Sequence, residues 1–316
     1  MKQLFKYGIW LLMIHFGLTG SIVAQSKYGG TIFNVAKDPG NEALGSAVVA
    51  ENTGVYALLW NPAALANTRN ISFGFIHSKI FISDISYNFL GTSFKYRNHH
   101  LGFSMIRLGI DDIKTIDVGD TYQDIEYKNV ADYILMAGIA PDRQGSPLQY
   151  GLTLKFIYSG YEVETGSGFG LDAGVLYRVW DNLSLGARLS NVFGSMKVWS
   201  TGKKEWIRPE LSYGIKYEKT FREMITAAAY LNAFHYFDNR RESAASSIGF
   251  VSNELAVGFK AMYKKLVGFK TGRNALGNLT YGAEIHIPKI EINYARVHHP
   301  DLGNIQNVGV VVVLPY

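Results

Sequence analysis

GFGLDAGVLYRV, Gly168 to Val179, decides what kind of chain this is. Phe169, Leu171, Ala173, Val175, Tyr177 and Val179 fall on one face of an extended strand, and Gly170, Asp172, Gly174 and Arg178 fall on the other, because successive side chains of a strand point to opposite faces. The charged residues share a face with the glycines, where a polar interior accepts them and hydrocarbon would not. The same division recurs. Leu152, Leu154, Phe156 and Tyr158 oppose Gly151, Thr153 and Lys155; Leu211, Tyr213, Ile215 and Tyr217 oppose Ser212, Gly214, Lys216 and Glu218; Leu279, Tyr281, Ala283, Ile285 and Ile287 oppose Thr280, Gly282, Glu284 and His286.

Segments of this kind begin near residues 69, 84, 100, 131, 148, 167, 182, 209, 223, 253, 265, 278, 289 and 305. That gives about 14 strands, the even number single-chain bacterial barrels use. Trp180-Asp181-Asn182, Lys264-Lys265 and Pro288-Lys289 supply tight turns between neighbours. Longer polar connections are expected at Asp111 to Asn129, Ser195 to Arg208 and Phe237 to Ser252. The expected fold is all-β, a transmembrane antiparallel β-barrel over residues 69–316. The whole chain's 20 Tyr, 18 Phe and 33 Gly beside 8 Pro suit a barrel, which needs aromatic girdles at both interfaces and close backbone approach inside.

The first 24 residues read as a cleaved signal peptide: Lys2 and Lys6 precede an apolar run from Tyr7 to Leu18, and Ile22 to Ala24 form a cleavage site. Export to the bacterial outer membrane follows, with outer-membrane lipid as surroundings. No later stretch approaches the roughly 20 apolar residues of a membrane helix. The formal charge of +5 is dispersed, which argues against a nucleic-acid partner. The absence of cysteine excludes a disulfide framework and thiolate chemistry.

Residues 25–68 are too apolar to hang free. Glu42 to Ala50 reads as a short small-residue helix, Asn52-Thr53-Gly54 as a turn, and LLWNPAALAN, Leu58 to Asn67, as a second helix with Asn61 as N-cap and Pro62 at its first position. A barrel of this size encloses more lumen than side chains fill, so the segment is expected to be a plug. Its motif is Trp60, Asn61, Pro62 and Ala63, and Glu42, Glu51, Asp172, Arg188 and Glu284 are candidates for polar contact between plug and wall. At the other end, Val308, Val310, Val312, Leu314 and Tyr316 share one face, a terminal signal for the barrel-assembly machinery.

Little suggests chemistry. His99-His100 and His298-His299-Pro300-Asp301 are the dense histidine clusters, but strand neighbours point apart and do not converge on one ion. No serine is singled out as a nucleophile by its spacing. No catalytic residue, metal site or cofactor is expected, and the chain is not expected to be an enzyme. Trp199, Trp206 and Arg208, in SMKVWSTGKKEWIRPE, could form a partner-contact loop, since Trp and Arg are enriched at hot spots, or the tryptophans could anchor at the membrane interface.

ALGSAVVAENTGVYALLWNPAALA, with GLTLKFI, GFGLDAGVLYRVWDNLSLGARLSNVFG and RPELSYGIKY in order behind it, resembles the PorV/PorQ family of the type IX secretion system, itself similar to FadL-type fatty-acid transporters. The resemblance implies a fourteen-stranded FadL-like barrel with no enzymatic role, docking cargo or other secretion-system and cell-surface proteins. The alternative is a FadL-type channel for hydrophobic small molecules, with a hydrophobic ligand or detergent in its lumen. In either case the mature protein should be heat-modifiable on gels and extractable only by detergent, because a closed barrel leaves no free edge. Recovery in the soluble periplasmic fraction would refute the barrel.

Overall fold

A computed structural model describes residues 38–51, 53–80, 85–118, 123–143, 145–162, 164–237, 246–248, 251–299 and 303–315. The signal-peptide reading and Tyr316 lie outside these. The strands are β1 (Ile71–Ile80), β2 (Ile85–Tyr96), β3 (His99–Val118), β4 (Gln123–Pro141), β5 (Leu148–Gly160), β6 (Thr165–Trp180), β7 (Leu183–Ser190), β8 (Ser195–Trp199) and β9 (Lys204–Ile207). They continue as β10 (Glu210–Phe221), β11 (Ile225–Tyr236), β12 (Ser246–Ile248), β13 (Val251–Tyr263), β14 (Val267–Arg273), β15 (Leu279–Ile287), β16 (Ile290–His299) and β17 (Gly303–Leu314).

Fourteen of these are staves of one closed antiparallel barrel. β7 pairs directly with β10 and β11 with β13. The ring closes where β1 meets β17, in register from Ile71↔Leu314 to Lys79↔Gln306. Closure matters because hydrocarbon offers no partner to an unpaired backbone N–H or C=O. β8 and β9 form a hairpin that continues the β7/β10 pair, with β8 also pairing to β6, and β12 is a short addition to β13.

Two of the expected loops are therefore strands. Asp111 to Asn129 is the extension of β3 and β4; its β-branched Ile113, Ile116, Val118 and Ile125 pair across a ladder despite the charges between them. Ser195 to Arg208 is mostly the β8–β9 hairpin. Phe237 to Ser252 falls largely outside the described residues, apart from β12 and the start of β13.

The alternation sorts as the sequence demands. Phe73, Phe75, Leu152, Leu154, Phe169, Val175, Tyr177, Ile215 and Leu231 are exposed on the outside, an apolar belt far too continuous for a water-facing surface. Val308 and Leu314 are exposed on that face, with Val310 and Val312 partly so, while Asn307, Gly309 and Val311 point inward. The start of β1, the end of β17 and the tight turns at Arg97-Asn98, Asp181-Asn182 and Pro288-Lys289 share one rim.

Leu154→Arg should destabilise the barrel in liposomes by about 2–4 kcal/mol if the position lies near the bilayer midplane, whereas Asn182→Arg in a turn should stay within about 0.5 kcal/mol. Urea midpoints of folding into lipid vesicles measure both, and equal effects would contradict the inside–outside assignment.

Candidate functional site

The lumen is occupied by the chain's own residues 38–68. Asp38 caps a single α-helical turn, Pro39–Glu42, accepting from the Asn41 backbone N–H at 3.0 Å. A 3-10 turn (Gly54–Tyr56), an α-turn (Ala57–Trp60) and a 3-10 helix (Pro62–Asn67) follow. Asn61 caps the last, accepting from Ala63 N–H at 3.1 Å. The helix expected over Glu42 to Ala50 does not form. Gly45 and Ser46 adopt left-handed φ of 66° and 63°, and the Gly45 N–H donates to Thr280 Oγ1 on the wall at 3.0 Å. Thr280 in turn donates to Ala43 O at 3.1 Å, so the wall takes hydrogen-bonding groups a helix would have used.

The wall receives the plug through its glycines. A Cβ at Gly151 would collide with Pro62 O, at Gly174 with Asn61 Oδ1, at Gly186 with Val49 O, and at Gly258 with Leu44 O. Across the β1–β17 seam, a Cβ at Gly74 would lie 2.7 Å from Val55 Cγ1 and one at Gly309 2.9 Å from Pro39 Cγ. Such sockets run round the wall, and each admits plug atoms only because the side chain is missing. The plug residues above them, from Ala43 to Val49 and from Val55 to Leu65, are almost wholly buried.

Asn61 joins plug and wall. Its Nδ2 donates to Val49 O within the plug at 2.8 Å and to Val175 O of β6 at 3.1 Å. Trp60 is buried, its indole N–H bound to Asp38. The polar candidates divide. Glu51 accepts from Lys216 at 2.9 Å and from the Tyr230 hydroxyl, Glu42 accepts from Asn307, and Arg188 donates to Leu59 O at 2.6 Å while holding Asp172 at 2.6 Å. These link plug to wall. Glu284 is instead held within the wall by Lys270 at 2.6 Å. Burial pushes the Glu51 carboxyl upward, but Lys216, Lys260 and the Tyr230 hydrogen bond outweigh it and hold it at about 2. A depressed carboxylate stabilises fully above its ordinary value and is lost only as pH falls through the lowered one, so this anchor persists into acid.

The two sides of the lumen wall differ. Ile76, Tyr87, Phe89, Ile106 and Ile134, from β1 to β4, make an apolar inner face buried in one cluster with plug residues such as Tyr56 and Leu58, and Ile157 of β5 is buried on the same face. Beside them, from β5 and β6 to the β8–β9 hairpin, runs a polar ridge: Lys155 bridges Asp172 at 2.5 Å, and Lys197 bridges Glu205 at 3.0 Å. The apolar face is missing from the sequence-based reading, which looked for polar lumen residues; its signal was that one face of ISYNFL (Ile85, Tyr87, Phe89) and one of FSMIRLGI (Ile106, Leu108, Ile110) is apolar and falls inward.

The three residues of the expected contact loop point different ways. Trp199 is buried, its ring tilted 40° to that of Tyr161 with centroids 5.3 Å apart, and Lys197 Nζ lies 4.2 Å over it. Trp206 is half exposed, opposite Met196 on the outer face. Arg208 donates to Phe237 O at 2.8 Å. His100 is buried 3.5 Å from Asp142, and His298 meets Asn304 at 3.1 Å. Among the described residues no group of His, Asp or Glu is arranged to hold a metal.

No protein-family model matches the chain, and no curated protein matches it by sequence. By structure it is similar to CymD, a monoaromatic hydrocarbon channel, with a TM-score of 0.58 and 11% identity over 89% of this chain and 98% of that one. It is similar also to the Ralstonia pickettii toluene transporter TbuX, with a TM-score of 0.53 and 12% identity over 89% and 98% of the two chains. At such identities the likeness defines the fold, a FadL-like transmembrane barrel with an N-terminal plug. It does not bear on the PorV/PorQ family, whose resemblance rests on the sequence blocks.

Asn61→Ala removes a cap and leaves buried carbonyls without their donor, at a cost of roughly 2–4 kcal/mol to plug seating, and Trp60→Ala should cost about 3–5 kcal/mol. Both should raise protease sensitivity within residues 38–68 while heat-modifiability is retained. Loss of the folded barrel in both variants would show that plug and wall do not separate.

Proposed function

We propose that the chain is a non-enzymatic outer-membrane channel of FadL type that passes a hydrophobic small molecule through the lumen and past the plug. The observation that carries this reading is the apolar inner face of β1 to β5. Ile106 and Ile134 turned inward pack in one cluster with the plug, and a hydrophobic solute that takes the plug's place against such a surface is bound at about 25 cal/mol per Å² of apolar area removed from water. The similarity to hydrocarbon channels supports it. The plug makes passage selective, since a molecule must travel between its buried apolar face and the wall. An export signal at residues 1–24 and the outward Val308, Val310, Val312 and Leu314 fit delivery to the outer membrane and assembly there.

A second reading, surface docking of partner or cargo proteins in type IX secretion, is favoured by the ordered PorV/PorQ-like blocks and by the half-exposed Trp206 on β9. The two separate in one experiment. In cells with equal surface abundance, Ile134→Asn should slow uptake of a hydrophobic fluorescent probe by about tenfold or more, since a buried polar group without a partner costs about 1–3 kcal/mol in the path. Trp206→Ala should leave uptake unchanged. Unchanged uptake in Ile134→Asn, together with loss of co-purifying surface proteins in Trp206→Ala, would reverse the choice.

A further inference from the structure

β3 pairs with β2 only as far as Ile85↔Ile110, and β4 with β5 only as far as Ala131↔Gly160. β3 and β4 continue pairing with each other from Ile113↔Lys128 to Val118↔Gln123. Beyond the bulge, six paired residues of each strand thus run past their neighbours, a reach of roughly 20 Å at about 3.4 Å per residue. No described strand pairs with the outer edges of this ribbon, so backbone N–H and C=O groups along both edges are open to a further strand.

The ribbon joins the barrel wall through a bulge. Its ladder shifts register between Ile110 and Ile113, where Asp112 takes a left-handed φ of 58°. The Asp112 N–H donates to Asn129 Oδ1 at 2.9 Å, and Arg107 pairs with Asp111. A ribbon held this way loses little freedom when it is paired.

Its charge is one-sided. From the bulge outward the described residues carry Asp111, Asp112, Asp117, Asp124 and Glu126 against Lys114 and Lys128, in a chain of formal charge +5. Charges on an edge discourage strands of like sign; an edge dressed mainly in one sign remains open to strands of the other. The geometry points to a docking edge: the β3–β4 ribbon takes up a basic, extended segment of another protein as an added strand. The main chain supplies the pairing and the acidic sequence selects the sign, a mode of recognition independent of whether the lumen passes a solute.

The test uses the full-length protein in detergent and three labelled ten-residue peptides, read by fluorescence anisotropy. One is a Lys/Val/Thr strand, one carries Glu for Lys, and one is the basic strand with alternate backbone N–H groups methylated. The basic strand should bind, and the acidic and methylated strands should bind at least about tenfold more weakly. Replacing residues 113–128 by a short Gly-Asn turn should abolish binding with heat-modifiability retained, and Asp117→Asn with Asp124→Asn should weaken it by about threefold to tenfold. Equal binding of the methylated peptide would reduce the effect to bulk charge and overturn the added strand. Undiminished binding without the ribbon, or dimerisation of the protein through it in place of peptide binding, would also overturn it.

Discussion

The structure depends on contact between two backbones at places where one of them has no side chain. Hydrogen-bonded staves alone would close a barrel with space at its centre, and the chain fills that space with its own residues 38–68. They seat because Gly151, Gly174, Gly186 and Gly258 leave the wall without a Cβ where Pro62, Asn61, Val49 and Leu44 press in. Close approach then lets plug groups hydrogen-bond to the wall directly, as Gly45 does to Thr280 and Asn61 to Val175. At Gly45 the wall's Thr280 hydroxyl shares an N–H that also reaches Glu42 O at 2.9 Å, and the left-handed φ of Gly45 and Ser46 ends the first turn of the plug there.

Seating has a polar and an apolar component, and they fall on different sides. Arg188 ties Asp172 of the wall to the carbonyl of Leu59, and Lys216 with Tyr230 ties down Glu51. These charges are paired and hydrogen-bonded, the condition under which burial is tolerable. Toward β1 to β5 the plug instead offers Val55, Leu58 and Leu65 to glycine sockets and apolar side chains. One flank is thus fixed by directional bonds, and the other, apart from the Gln149 to Asn67 hydrogen bond at 2.9 Å, is held by non-directional packing that a hydrophobic molecule can replace at small cost.

Much of this was legible in the sequence. Period-two alternation puts Asp172 and Gly174 on the inner face of β6, and the Asn-Pro pair marks Asn61 as a cap, because both signals are local. What was not legible depends on distant partners. Gly45 in the left-handed region answers to Thr280, which is 235 residues away. The inward turn of Trp199 and the outward turn of Trp206 follow from Met196 facing Trp206 across a hairpin, a register that composition does not set. The β3–β4 ribbon was hidden by its charges, which suggested a loop although Ile113, Ile116, Val118 and Ile125 already carried strand propensity. The apolar lumen face was hidden because Tyr87, Phe89, Ile106 and Ile134 carry no charge to mark them as inward-facing.

Whether a hydrophobic molecule reaches the lumen is decided most directly by photolabelling. A small photoreactive hydrocarbon is given to the barrel in lipid vesicles, and the modified residues are mapped by mass spectrometry. The outer belt, Phe73, Leu154 and Phe169 among it, will label in any case. Passage through the lumen requires a second set of labels on Ile76, Phe89, Ile106 and Ile134, suppressed by excess unlabelled hydrocarbon. Labelling confined to the outer belt would contradict it.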